Sequence, residues 1–346
     1  MKAVVKYGQR YGEVELREVP IPEIGPHDVL LEVAAAGVCG SDVEQWKHEV
    51  SYTIPTPVIM GHEFCGTVRA VGSAVEGFRP GDRVASETAA SICGQCPQCL
   101  TGEYNLCPRR LGFGYGLDGA FTRYTRVPAR CLHRIPDNVS FEHAALTEPA
   151  CVAYNAIFVK SRLRPGEPVV VIGPGPIGLF CVQMCRAAGA GKILLVGTRV
   201  DRRRLEVGLA LGADAIFDVE EEDPAPRILE LTGGHGAPLV LDAAGPSEAV
   251  RLAMAVVARN GQITKIAWGP RPLNLSLDPL VAKAACLQGS FSHTWRTWEA
   301  VLQMMSAGRL DLDRMITHRM TIEQWLEAFH LVERREAVKV VLRPVD

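Results

Sequence analysis

The chain has 346 residues, 47% of them apolar and 22% charged, and a formal net charge of −2. That length favours two domains over one, and the composition is that of a soluble globular protein. The near-neutral balance gives no sign of a general affinity for nucleic acid or for an anionic membrane. The N-terminal stretch MKAVVKYGQRYGEVELREV lacks the apolar core of a signal peptide, and the longest apolar run, Ile177 to Ala190, is broken by Gln183 and Arg186. A cytoplasmic location with no membrane span is therefore expected.

Residues 1 to about 150 read as mostly β. DVLLEVAAAGV, CGTVRAVG, DRVAS and FTRYTRV are short period-two runs separated by Gly and Pro. This stretch holds a mixed set of metal-binding side chains: Cys39, His62, Glu63 and, later, Glu148. One thiolate, one imidazole and one or two carboxylates with an open position is how catalytic zinc is held, although a histidine packed in a core is the competing reading of His62. A second group follows as C-x2-C-x2-C-x7-C, at Cys93, Cys96, Cys99 and Cys107. The chain has eleven cysteines, an odd number, and no secretion signal, so a disulfide framework is not expected. Reduced thiols at this spacing can close around one zinc ion, and an iron–sulfur cluster uses similar chemistry. The Gly, Pro and Gln spacers suit a metal-wrapping loop.

From about 153 to 290 strands alternate with helices. PVVVIG, KILLVG, PLVLDAAG, GQITKIAWG and CLQGSF read as strands, and PIGLFCVQMCRAAG and DRRRLEVGLALG as helices. That alternation predicts a parallel sheet with helices on both faces. GPGPIG (Gly173, Gly175, Pro176, Ile177 and Gly178) follows the first strand and opens a helix, as a dinucleotide fingerprint should. The second strand ends in Gly197, Thr198 and Arg199, with no carboxylate to take the ribose hydroxyls of NAD. Asp201 comes slightly late, where helix capping is its expected role. Arg199, with Arg202, Arg203 and Arg204 behind it, suits a 2′-phosphate, which favours NADP(H) over NAD(H). The glycine of AAGPS, Gly245, is expected close to the cofactor. The tail from Thr294 reads as helix, strand, helix, strand.

Together these motifs resemble the zinc-dependent medium-chain alcohol and polyol dehydrogenases. The run Gly61-His62-Glu63, Gly66, Gly72 and Val75, the four-cysteine lobe and GPGPIG carry the resemblance, which spans essentially the whole chain. It implies an α/β architecture: a β-rich GroES-like catalytic domain at 1–152 with a metal lobe at about 91–108, a Rossmann domain at 153–293, and a return to the catalytic domain at 294–346. The active site would lie in the cleft. Two zinc ions per chain are implied. A structural one would sit on Cys93, Cys96, Cys99 and Cys107, and a catalytic one on Cys39, His62 and Glu63, with Glu148 as fourth ligand or holder of its water. A homo-oligomer, dimer or tetramer, is implied as well.

Within that family, Cys-Gly-Ser-Asp-Val followed by Trp46, with Glu63 and Glu148-Pro149, is most similar to the sorbitol, threonine and butanediol dehydrogenases. The resemblance implies reversible hydride transfer between a secondary alcohol, polyol or sugar and the nicotinamide, with Ser41 relaying the proton. Glu44 stands where relatives carry a proton-passing histidine. Ser292-His293 stands where sorbitol enzymes carry an Arg-Tyr pair, so both departures weaken sorbitol itself as substrate. His293 is expected to face the substrate's second hydroxyl, or else to cap the following helix. The alternatives are a threonine or 2,3-butanediol dehydrogenase, a zinc-free reductase of activated double bonds, and a non-catalytic zinc-binding protein.

Overall fold

The structure is a computed structural model that describes residues 1–269 and 271–345. Its contacts divide the chain into two compact units. One comprises Met1–Glu148, His293–Gly308 and Met315–Asp346, and the other Pro149–Ser292 and Arg309–Arg314.

The first unit begins with β1 (Lys2–Lys6), β2 (Val14–Glu18), β3 (Asp28–Gly37), α1 (Gly40–Lys47), β4 (Val58–Ile59), β5 (Glu63–Val71) and β6 (Arg83–Ser86). After them come the short α2 (Pro97–Leu100), β7 (Tyr124–Pro128), β8 (Leu132–Arg134), α3 (Phe141–Ala144) and α4 (Thr147–Tyr154). β3 alternates in-and-out burial along DVLLEVAAAG, as one face of a sheet on a core requires. The sequence reading set no strands in the first twenty residues, yet β1 and β2 form an antiparallel hairpin there, with Lys2 opposite Glu18 and Lys6 opposite Val14.

The second unit runs β9 (Val169–Ile172), α5 (Pro176–Ala187), β10 (Ile193–Gly197), α6 (Arg202–Ala210), β11 (Ala215–Asp218) and α7 (Pro224–Leu231). It continues with β12 (Ala237–Asp242), α8 (Ser247–Val256), β13 (Val257–Lys265), α9 (Asp278–Lys283) and β14 (Cys286–Gly289). Among the described residues the six strands form one parallel sheet in the order β11-β10-β9-β12-β13-β14. Every residue of β9, VVVI, is buried, because helices cover both faces of such a sheet. β13 begins four residues before the GQITK run read from the sequence. Its first turns carry exposed Arg259 and Asn260, which hide the strand's period.

The chain then returns through α10 (Trp295–Ser306), β15 (Ile316–Thr321), α11 (Trp325–Glu333) and β16 (Lys339–Arg343). β16 pairs with β3, Val341 opposite Gly37, and completes a seven-stranded sheet ordered β15-β16-β3-β5-β6-β8, with β7 also on β3. Leu31, Phe64, Phe121, Phe329 and Trp46 belong to the buried core of this unit. No helix among the described residues is long and apolar enough to cross a membrane.

Candidate active site

Three elements of the first unit converge on one point. Cys39 is the N-cap residue of α1, and its backbone N–H donates to the Asp42 carboxylate at 2.8 Å, which fixes how the thiol leaves the helix start. His62 and Glu63 sit at the head of β5, with Glu63 opposite Gly37 of β3. A Cβ at Gly37 would collide with the Glu63 carboxylate, so glycine makes the room. Ligand atoms of Cys39, His62 and Glu63 all lie within 4.8 Å of one another. His62 and Glu63 are buried and Cys39 is half-buried. A thiol, an imidazole and a carboxylate whose ligand atoms converge are the donor set a zinc ion takes, so these residues fit that metal.

Two residues that the sequence reading passed over tune this point. The Asp42 carboxylate is 3.5 Å from His62 Nδ1, the outer partner that orients a ligating imidazole. Lys339 of β16 is fully buried and lies 2.6 Å and 2.5 Å from the two Glu63 oxygens; it also donates to the Val38 carbonyl at 2.9 Å. Burial works against the Lys339 ammonium, yet the Glu63 carboxylate outweighs it and raises the pKa. An acidic ligand with a lysine 276 positions away in sequence gives no local signal.

Glu148 stands outside that three-residue cluster. Its Oε1 is 3.2 Å from His293 Nε2, and Trp298 Nε1 donates to His293 Nδ1 at 2.7 Å. With Nδ1 accepting, Nε2 carries the proton and donates to Glu148. Burial alone would raise the Glu148 carboxyl, but the bond from His293 and the nearby Lys339 cation bring it below the usual range. His293 is 1% exposed, its two nitrogens meet Glu148 and Trp298, and no side-chain bond from it caps α10. Ser292, half-buried, takes a left-handed backbone with φ 55°. Ser41 is half-buried in the first turn of α1, and Glu44 lies exposed on the same helix. Tyr115, held at its hydroxyl by Arg110 at 2.6 Å, packs edge-on to His62 with ring centroids 6.4 Å apart, and Tyr52 packs on Tyr115 at 5.4 Å. The sequence reading did not single out these two tyrosines.

The four lobe cysteines also converge, with sulfurs within 4.8 Å of one another. Cys93 Sγ and Cys99 Sγ are 4.0 Å apart, far beyond a disulfide and close to the ~3.8 Å edge of a zinc–thiolate tetrahedron. Backbone N–H groups point at the sulfurs: Cys96 N at Cys93 (3.3 Å), Cys99 N at Cys96 (3.4 Å) and Cys93 N at Cys107 (3.4 Å). The Gln95 and Cys96 amides bring the Cys93 thiol down to about 6, while burial pushes Cys99 up to about 12. Tyr104, inside the lobe, donates to the buried Glu87 carboxylate at 2.8 Å, and Glu87 in turn meets His133 at 3.0 Å.

In the second unit Gly173 ends β9 with φ 99°, open to glycine but strained for other residues. A Cβ at Gly178 would strike the Gly173 carbonyl, whereas one at Gly175 would meet open space. Gly175 caps α5, with Pro176 and Ile177 in its first turn, leaving free N–H groups where a pyrophosphate binds, so the turn fits a dinucleotide. Thr198 and Asp201 cap each other after β10, the Thr198 hydroxyl donating to Asp201 at 2.8 Å. Asp201 is thus a capping residue, as its position suggested. Arg199 is exposed beside it. Arg204 differs from the sequence expectation of a phosphate ligand: it is 7% exposed and 3.6 Å from Asp201, because its place on α6 turns it inward. Gly245, φ 101°, follows β12.

The strand order, numbered within the sheet, is 3-2-1-4-5-6, which with the glycine turn defines a dinucleotide-binding doubly wound unit; the other unit is β-rich and carries the metal-type side chains. Residues 25–137 match the alcohol dehydrogenase GroES-like domain family, and residues 176–307 the zinc-binding dehydrogenase family. The chain is 36% identical to a sorbitol dehydrogenase of Halalkalibacterium halodurans over the full length of both. It is 34% identical to a D-arabitol-phosphate dehydrogenase of Enterococcus avium, covering 99% of this chain and 97% of that one. A solved zinc-binding dehydrogenase from Sinorhizobium meliloti, bound to NADP, superposes with a TM-score of 0.90 at 29% identity over 99% of each chain. The chain belongs to the zinc-type alcohol dehydrogenase family. It is an oxidoreductase of the alcohol and polyol class that works with zinc and a nicotinamide cofactor.

Proposed function

We propose that the chain oxidises a secondary alcohol of a polyol or sugar, reversibly, with NADP(H) in preference to NAD(H), and carries two zinc ions. The observation that carries this reading is the convergence of the Cys39, His62 and Glu63 ligand atoms within 4.8 Å, with His62 and Glu63 buried. A zinc ion there supplies Lewis-acid polarisation of the substrate oxygen, and the nicotinamide supplies the hydride acceptor. Cys39, His62 and Glu63 would hold the metal, Asp42 would orient His62, and Lys339 would balance the charge on Glu63. Ser41, two residues beyond Cys39, would take the hydroxyl proton and pass it outward past Glu44 or His48, the latter exposed at the C-terminal end of α1. Glu148, fixed by His293, would hold a water beside the metal ligands. The hydroxyls of Tyr52 and Tyr115 suit a polyhydroxy substrate better than a plain alkyl alcohol.

Arg199, exposed at the end of β10 with no carboxylate free beside it, supports the preference for NADP(H). A homo-oligomer is supported by β14, an edge strand whose surroundings expose Leu287 (40%), Leu277 (51%) and Val281 (79%). The deciding experiment is a turnover panel of polyols, sugar alcohols, diols and threonine with each cofactor. Activity confined to simple primary alcohols, or none with any substrate, overturns the proposal.

A further inference from the structure

The parallel sheet reverses its direction of growth between β9 and β12. β10 and β11 build outward from one side, β13 and β14 from the other. A crevice opens beyond the carboxyl ends of the strands at such a point. One row of the sheet ends there in register: Ile172 of β9, Asp242 of β12, Lys265 of β13 and Gly289 of β14. Past this row lie the Gly173-Pro174-Gly175 turn and the Ala243-Ala244-Gly245 loop. The two pass so close that a Cβ on Gly173 would stand 2.8 Å from the Ala244 nitrogen. The loop is therefore a wall of the place where the dinucleotide is received.

Asp242 is fully buried and ties down that wall. Its Oδ1 accepts the N–H groups of Ala244 at 3.0 Å and Gly245 at 2.9 Å. Lys265 completes the tie: its ammonium donates to Asp242 Oδ2 at 2.8 Å and to the Gly245 carbonyl at 3.2 Å. One cation thus holds both the carboxylate and the far end of the loop, and cancels a negative charge that would repel an incoming pyrophosphate. The pair is not sealed in a core, since the Lys265 side chain keeps 22% exposure.

We propose that Lys265 is a cofactor-positioning residue, a latch that holds the 243–245 loop in its receptive shape and neutralises Asp242 beneath the dinucleotide. The inference rests on the nicotinamide reading above. It is tested by direct binding: NADPH titrated into the zinc-loaded full chain and followed by cofactor emission, with no turnover involved. Because Lys265→Met alone would strand a buried carboxylate, the variant is Lys265→Met with Asp242→Asn, which keeps an acceptor for the loop amides. Its melting temperature is expected within a few degrees of the parent, its Kd for NADPH raised about tenfold, and amide exchange at 243–246 faster while β9 and β12 exchange as before. Should that variant fail to fold, Lys265→Gln takes its place with the same readings. A folded variant that binds NADPH within twofold of the parent overturns the proposal, whatever its melting temperature, and assigns the pair to stability alone. Failure of the nicotinamide reading is seen separately, as a wild-type chain that binds neither NADPH nor NADH.

Discussion

Ser41 sits half-buried in the first turn of α1, two residues beyond the Cys39 thiol. Ser41→Ala is expected to lower the turnover rate by about 10²-fold and to alter the pH–rate profile, within the usual range for proton-transfer assistance. A mutant with the parent's rate and profile removes Ser41 from the relay. At the other ligand site, Arg199→Asp should reverse the cofactor preference. A charge-assisted bond to a 2′-phosphate contributes roughly 1.5–3 kcal/mol, or about tenfold to a hundredfold in the Michaelis constant for NADP(H). Unchanged discrimination, or a wild-type preference for NAD(H), defeats it. Lys339 gives a test of Glu63 as a ligand. Lys339→Met leaves the Glu63 carboxylate buried without its cation, and breaking such a pair costs about 3–5 kcal/mol. With zinc bound the carboxylate regains a positive partner, so the loss should be much larger in chelator-treated protein than in zinc-loaded protein. Equal losses in denaturant unfolding of the two forms would remove Glu63 from the ligand set.

The four-cysteine lobe behaves as one element. It is short, has little apolar interior, and is stitched by N–H to sulfur contacts and by Tyr104 on Glu87. In metal-stripped protein at pH 7 the Cys93 thiol, near 6, is largely thiolate, while Cys99, near 12, is protonated. Alkylation followed by peptide mass spectrometry should therefore label Cys93 well before Cys99. Equal labelling means the amides do not hold the Cys93 sulfur in this way. Cys96→Ala should cost stability more than chemistry, because a closed four-thiolate site leaves no position for substrate. The lobe, the glycine turn and the buried β9 run were legible in sequence because each is local: spacing or period alone specifies it. The pairing of β1 with β2 was not, since an alternating polar and apolar run does not say which strand it lies beside.

At the scale of the whole molecule, two ligand sets predict two zinc ions per chain by elemental analysis of carefully prepared protein, and one or none counts against the assignment. The exposed edge at β14 predicts that light scattering will find a dimer or a larger even assembly. A charge placed on that edge, Leu287→Lys, should shift it towards monomer. A wild-type monomer at micromolar concentration rules that interface out.

What the amino-acid order determined by itself is whatever is written in neighbouring residues: the class of fold from alternating strand and helix patterns, the dinucleotide turn from its glycines, the metal lobe from cysteine spacing, the Asp201 cap from its place after a strand. What only the tertiary structure decided is which distant residues meet. Lys339 reaches Glu63 because β16 returns to pair with β3. His293 meets Glu148 with one nitrogen and Trp298, five residues on, with the other, and Arg204 is folded against Asp201 by the face of α6 it occupies. Side-chain direction follows from burial and partner geometry across long separations, and no local spacing encodes it.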